Sequence, residues 1–288
     1  MHPAPSLIFF TTLSGLGFGL LVWLGIDPSP PESLTALAWL ALAYALCLSG
    51  LAASATHLER RERALKAFRQ WRTSWLSREA WAALVSLLLG GGYGLSLLLG
   101  RPLLPLGWLT ALAALATVFC TAMIYAQLKS VPRWHHRSTP ALFLAYALSG
   151  GALLSGQRWP ALVLLGLTAA LQIWSWIDGD GRFARSGTTL ASATGLGAAG
   201  SPRALFPPHT GSNYLLREMV FVVARRHLLK LRALAALLGF VLPAALLLAT
   251  AVSYFNFICL ALHVAGVLLS RWLFFAEAEH VVGLYYGR

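Results

Sequence analysis

Apolar and polar positions alternate in long blocks: hydrophobic runs of membrane-spanning length are cut by short charged or Pro/Gly-rich turns. A helix needs about 20 mostly apolar residues to cross the hydrocarbon core. On that criterion the pattern predicts eight membrane helices, near 6–26, 34–56, 81–99, 106–127, 140–156, 160–177, 233–252 and 254–276, with the fifth and sixth short. Pro28, Pro30 and Pro31 part the first two, Pro102 and Pro105 the third and fourth, and Pro160 opens the sixth. The expected fold is all-α and polytopic: one integral membrane domain over 1–288, a bundle of eight transmembrane helices. It carries a charged loop at 57–80 and a long loop at 178–229. Residues 1–6 hold no basic residue and no small-residue cleavage site follows, so the first span is expected to stay in the mature chain.

Composition agrees with the pattern. The 288 residues are 58% hydrophobic and 11% charged, against about 25% charged for a soluble domain. The net charge of +12 does not point to nucleic acid, because the charges sit in short loops between spans. Their distribution instead gives the orientation. Of the 22 Lys and Arg, seven lie in the 57–80 loop, three (Lys129, Arg133, Arg137) in the next loop on that face and eight in 178–232, joined by Arg271 and Arg288. Only Arg101 and Arg158 fall on the other face. The basic face, called side A below, is expected to be cytoplasmic, with both termini inside and the chain in the cytoplasmic (inner) membrane. Ten charges in one short loop exceed what orientation needs. Arg60, Arg61, Arg63, Arg69 and Arg72 are therefore candidates for contact with an acidic partner.

Several motifs subtract possibilities. Cys47, Cys120 and Cys259 are isolated within apolar runs and form no C-x-x-C, so no iron–sulfur or structural zinc site is expected and they read as packing residues. Gly195–Gly200, GLGAAG, has the form G-x-G-x-x-G, but no strand precedes it and no acidic residue follows about 20 positions on, which excludes a dinucleotide site. Gly15 and Gly19 form a G-x-x-x-G pair, and Gly90, Gly91 and Gly92 follow in span three; both read as close helix packing. The stretch after Asp178 is rich in Gly, Ser, Thr and Pro without helical period, and Tyr214 to Arg232 reads as an interfacial turn entering span seven.

Only His263 lies well inside a span, so paired-histidine haem ligation is not expected, nor any metal in this chain. Every Asp, Glu, Lys and Arg can be placed within a turn or two of a surface, which weighs against a transporter with midplane charges. A quinone site fits better, since it needs an apolar slot, donors to the ring oxygens and a titratable group leading to water. His57, where span two ends, has that chemistry as an acid–base group. Arg78 and Glu79 can lie beside it if the loop folds back, with Trp71 and Trp75 covering the slot. Tyr125 and His135 are the next candidates for its wall. Taken singly, each has a bland alternative: His57 as an interfacial helix end, Glu79 as a favourable charge near a helix start.

The residues His57-Leu58-Glu59-Arg60, Ala67-Phe68 and SWLSRE (74–79) resemble the second loop of membrane anchor subunits of the dimethyl sulfoxide reductase type. The resemblance continues through FFTTLSGLGFGL, MIYAQLKSVPRWHH, NYLLREMVFVVARRHLLKLR and RWLFFAEAEHVVGLYYG, in order and over nearly the whole chain. Within that group the chain is more similar to the anchors of sulfite dehydrogenases. The resemblance implies an eight-span anchor that exchanges electrons with quinone (menaquinone or ubiquinone), carries no haem, and holds a four-cluster iron–sulfur subunit and a molybdopterin catalytic subunit at the membrane. It puts the family's quinol-associated histidine at His57. It leaves open sulfite oxidation with quinone reduction, or quinol oxidation as in a dimethyl sulfoxide reductase. A transporter and a purely structural tether are the readings of another class.

Overall fold

A computed structural model describes residues 1–56, 61–206, 211, 227–249 and 255–286, the side chains of 61–65, 255 and 256 excepted. Among these residues eight helices form the bundle: α1 (Pro5–Ile26), α2 (Ser33–Thr56), α3 (Trp75–Leu98), α4 (Leu104–Ala126), α5 (Ser138–Leu154) and α6 (Arg158–Asp180), then α9 (Leu228–Ala249) and α10 (Phe255–Ala276). Among the described residues between α6 and α9 lie two short helices, α7 (Arg182–Arg185) and α8 (Leu190–Thr194). Seven of the eight are long and apolar enough to cross a bilayer; α5, with 17 residues, is shorter. At 1.5 Å per residue it covers about 25 Å of a core about 30 Å thick. The sixth span, expected to be short, runs 23 residues.

The helix starts differ from the hydropathy reading in an instructive way. α3 begins at Trp75, not near 81, and α9 at Leu228, not near 233. Hydropathy marks where a helix enters lipid, whereas the backbone turns helical earlier, on the polar side. Arg78 and Glu79 therefore lie one turn inside α3, and Arg232 lies inside α9.

α1 is the central strut. About two thirds of its apolar window (67%) is buried, against α2, α4, α5 and α10. A Cβ on Gly19 would come within 1.9 Å of the Ala147 carbonyl oxygen, so α1 and α5 meet backbone to backbone. Of the Gly15–Gly19 pair expected to serve close packing only Gly19 does so, because Gly15 has nothing within 4 Å of its missing Cβ. A second close approach joins Gly239 and Gly266, where α9 widens into a π-turn (Leu237–Val241) against α10. Such π-turns often mark functional positions.

The long loop is more ordered near its start than its composition suggests. Thr189 and Ser192 form a reciprocal capping box that starts α8, and Gly195 at φ 69° ends it. GLGAAG thus follows a helix and forms a 3₁₀ turn, Gly197–Ala199. A turn at Val281–Tyr286 returns over α8, where Tyr285 donates to the Ala193 carbonyl at 2.8 Å. Residues 214–226, most of the expected interfacial turn, lie outside the described residues.

Candidate functional site

Side A carries two polar constructions. The first is at the α3 entrance. A 3₁₀ segment (Arg61–Gln70) leads to the helix, and the chain before Trp75 is laid back on α3 by side chain to carbonyl bonds. Ser77 donates to the Ala67 carbonyl and Trp81 Nε1 to that of Phe68 at 3.0 Å. Arg78 Nε reaches the Trp71 carbonyl at 3.0 Å and Nη2 that of Arg72 at 2.7 Å. Its guanidinium lies 4.3 Å over the Trp75 ring. Residues 67–72 thus fold back on the start of α3.

Behind it Glu79 is 3% exposed. Its Oε1 accepts from the Thr121 hydroxyl of α4 at 2.5 Å. A carboxyl buried one turn inside α3 and held by a neutral donor is the kind of group that can take or give a proton at the edge of a lipid slot. Sequence reading singled out Glu79 but not Thr121, whose sequence neighbourhood gives no sign of a partner 42 positions away.

The other candidates divide. Trp71 is 56% exposed and contributes its carbonyl, not its ring, to the Arg78 contact. Trp75 packs edge-on against Phe119 at 5.9 Å. Tyr125, one turn beyond Thr121, is buried among Trp134, Phe143, Phe274 and Phe275 at 5.4 to 5.7 Å, so it belongs to an aromatic core and is not shown lining a slot. His135 turns to the Ala126 carbonyl (2.6 Å) and lines a surface groove with Lys129, His136, Asp178, Arg182 and Arg185. Arg69 and Arg72 are exposed. His57 and Arg60 lie outside the described residues, as do the side chains of Arg61 and Arg63.

The second construction was not anticipated. Arg133, Asp180, Arg232 and Glu277 form a closed ring of ion pairs that ties the α4–α5 loop to the ends of α6, α9 and α10. Arg133 bonds Asp180 (3.1 Å) and Glu277; Arg232 bonds Asp180 (2.6 and 2.8 Å) and Glu277 (2.9 Å to each oxygen). With two cations and two carboxylates the ring is neutral, which lets Glu277 sit 4% exposed. Its members are scattered along the chain, and no local spacing announces them.

From this ring a row of voids leads inward. The outermost, about 190 Å³, is lined by the ring with Phe183, Leu228 and Glu279. A second, about 30 Å³, shares Arg133 and Glu277 and adds Tyr146, Gln172, Ser270 and Arg271. A third, about 20 Å³, shares Tyr146 and Arg271 and reaches Thr12, Gly15, Gly150 and His263. Arg271 lies only a turn and a half from the end of α10, yet it points inward, 4% exposed, its guanidinium 3.6 Å from the Phe143 ring centre. Placement near a surface by sequence thus concealed a buried charge. Among the described residues no three His, Cys, Asp or Glu group as metal ligands would.

An all-helical, multi-pass chain with its ionisable groups gathered at one membrane face is the architecture of a membrane anchor. The sequence model of the DMSO reductase anchor subunit (DmsC) family matches residues 1–173. The chain belongs to that family, and is a membrane anchor of a molybdoenzyme complex. A relative with a curated description is a component of the sulfite dehydrogenase of Allochromatium vinosum, the one designated C. The two are 32% identical over 327 aligned positions that cover 99% of each chain.

Proposed function

We propose that the chain is the quinone-reactive anchor of a three-subunit molybdopterin oxidoreductase in the cytoplasmic membrane. It passes electrons between the quinone pool and an iron–sulfur subunit docked on side A, which is cytoplasmic and carries both termini. The observation that carries this reading is the buried Glu79 carboxyl, bonded to Thr121 beneath a loop folded back on α3. The exchange pocket lies at the side-A ends of α2, α3 and α4. His57, next after the last residue of α2, is its acid–base group, with Glu79 and Arg78 beside it and Trp75 in the wall. Electrons come from clusters outside the membrane, and the quinone ring rises to this boundary to meet them. Similarity to the sulfite dehydrogenase component favours sulfite oxidation with quinone reduction. The family's namesake, a reductase, supplies the opposite direction as the second reading.

Replacing His57 with Ala or Gln tests the assignment. The complex should still assemble, with quinone-coupled turnover at least about tenfold slower, the lower part of the range for general acid–base groups. Turnover with a water-soluble electron carrier should persist, because that route bypasses the anchor. Equal loss of both activities would make His57 structural. Purified chain that carries no iron–sulfur partner at all would favour a transporter instead.

A further inference from the structure

The innermost void holds an arrangement for which the exchange site has no use. Thr12 on α1 and His263 and Arg271 on α10 all line it, and they are 4%, 1% and 4% exposed. Each has a polar atom without a hydrogen-bond partner among the described residues: Thr12 Oγ1, His263 Nε2 and Arg271 Nε. A buried polar atom left unmatched is costly, and such atoms are rare. Three around one void point to an occupant.

The chemistry of that occupant follows from the donors and acceptors. His263 Nδ1 lies 2.6 Å from the Gly239 carbonyl oxygen, which can only accept. Nδ1 therefore carries the ring proton, and Nε2 presents a lone pair. Arg271 can only donate, and the Thr12 hydroxyl can do either. The missing group must donate to Nε2 and accept from Arg271, which is what a hydroxyl oxygen does. A void of about 20 Å³ has room for one such oxygen. No carboxylate pairs with Arg271 among the described residues, since Glu277 is engaged by Arg133 and Arg232. The lone guanidinium thus favours an oxygen rich in negative charge.

The way in is from the side. Gly15 lines the void, is partly exposed, and has open space where a side chain would be. Val264, also lining the void, is partly exposed as well. Both lie within membrane-spanning helices, so the gap faces lipid, and what enters is lipid-soluble.

We propose that Thr12, His263 and Arg271 bind the hydroxyl of a lipid-soluble hydroxylated ring, a quinol head group, whose ring occupies the gap left by Gly15 between α1 and α10. The ligand class rests on the quinone reading above; the place does not, and this is a second site, away from Glu79. It binds a head group, and no electron transfer is assigned to it.

The test uses the intact complex in lipid nanodiscs and a photoreactive azidoquinone, reduced to its quinol before irradiation, with labelled peptides mapped by mass spectrometry. Label is expected on peptides containing Thr12–Leu16 or His263–Val267 and should be displaced by excess quinol. It should fall at least about fivefold in His263→Ala, the loss of one hydrogen bond. Gly15→Leu fills the gap without touching the polar atoms and should abolish the label, so the test does not depend on how well His263→Ala folds. His57→Ala should leave it intact, which separates failure of this proposal from failure of the exchange-site reading. Label confined to the Trp75–Glu79 region, or unchanged by Gly15→Leu, overturns the proposal. So does an ordered water on His263 Nε2 with no label, which would show an internal water only.

Discussion

Glu79 and Thr121 are joined in the proposed exchange site by one side-chain hydrogen bond, and that bond can be removed from either end. Thr121→Val keeps the shape and leaves a buried carboxyl without its donor, at a cost of about 1–3 kcal/mol. Quinone-coupled turnover should fall while the complex still assembles, and Glu79→Gln should depress the same activity. A Thr121→Val complex with wild-type coupled activity would show that the bond only packs α3 on α4. His136 offers a pH handle. Its Nδ1 accepts from the Ser138 backbone N–H at 3.1 Å, so the ring is neutral there. Burial, and after it the Arg182 charge, holds its pKa below the ordinary imidazole value. A lowered folded-state pKa gives stability that is complete above about pH 6.5, the free value, and is lost as pH falls through the folded one. The thermal midpoint of the purified protein should drop below that pH, and less so in His136→Asn. Residues such as Glu79 were legible because a carboxyl beside an apolar run is conspicuous. Thr121 was not, since a threonine in a span is ordinary until the helix facing it is known.

Among elements, the close contact of α1 with α5 explains more than propensity does. Gly19 admits the Ala147 carbonyl where any side chain would clash. Gly19→Leu should therefore prevent stable assembly, whereas Gly15→Ala, with empty space around it, should be accepted; detergent-extracted yield and thermal midpoint distinguish them. The sequence showed that glycines recur along α1, but not which helix each one faces, because that depends on rotation and neighbours rather than on spacing. All eight helices of the bundle, seven of them long and apolar enough to cross a bilayer, were legible from hydropathy, and their polar ends were not. Helix and lipid boundaries differ by a turn or more at α3 and α9. That turn holds Arg78, Glu79 and Arg232, so the chemistry lies where the hydropathy signal stops.

For the molecule as a whole, the basic face predicted from the sequence divides by commitment. Arg133, Arg182 and Arg232 pair with carboxylates of the chain itself, while Arg69 and Arg72 stand exposed beside α3, and Lys129, Arg137, Arg203 and Lys230 stand exposed elsewhere. An acidic docking surface should favour these exposed charges. Crosslinks from the proposed iron–sulfur partner are expected on Arg69, Arg72 and the 178–229 loop, and their restriction to the Arg101 and Arg158 turns would contradict the proposed docking face.

The central position of α1 also has a consequence for biosynthesis. This helix leaves the ribosome before α5 and α10, two of the helices it is buried against. Until they arrive, its Gly19 notch and its Thr11, Thr12 and Ser14 hydroxyls face lipid or provisional neighbours. Thr11 and Ser14 bond back to carbonyls of their own helix at 2.6 to 3.3 Å, so these two stay satisfied during the wait. Thr12 does not, and a nascent chain stalled before α10 should be the form that membrane quality-control proteases recognise.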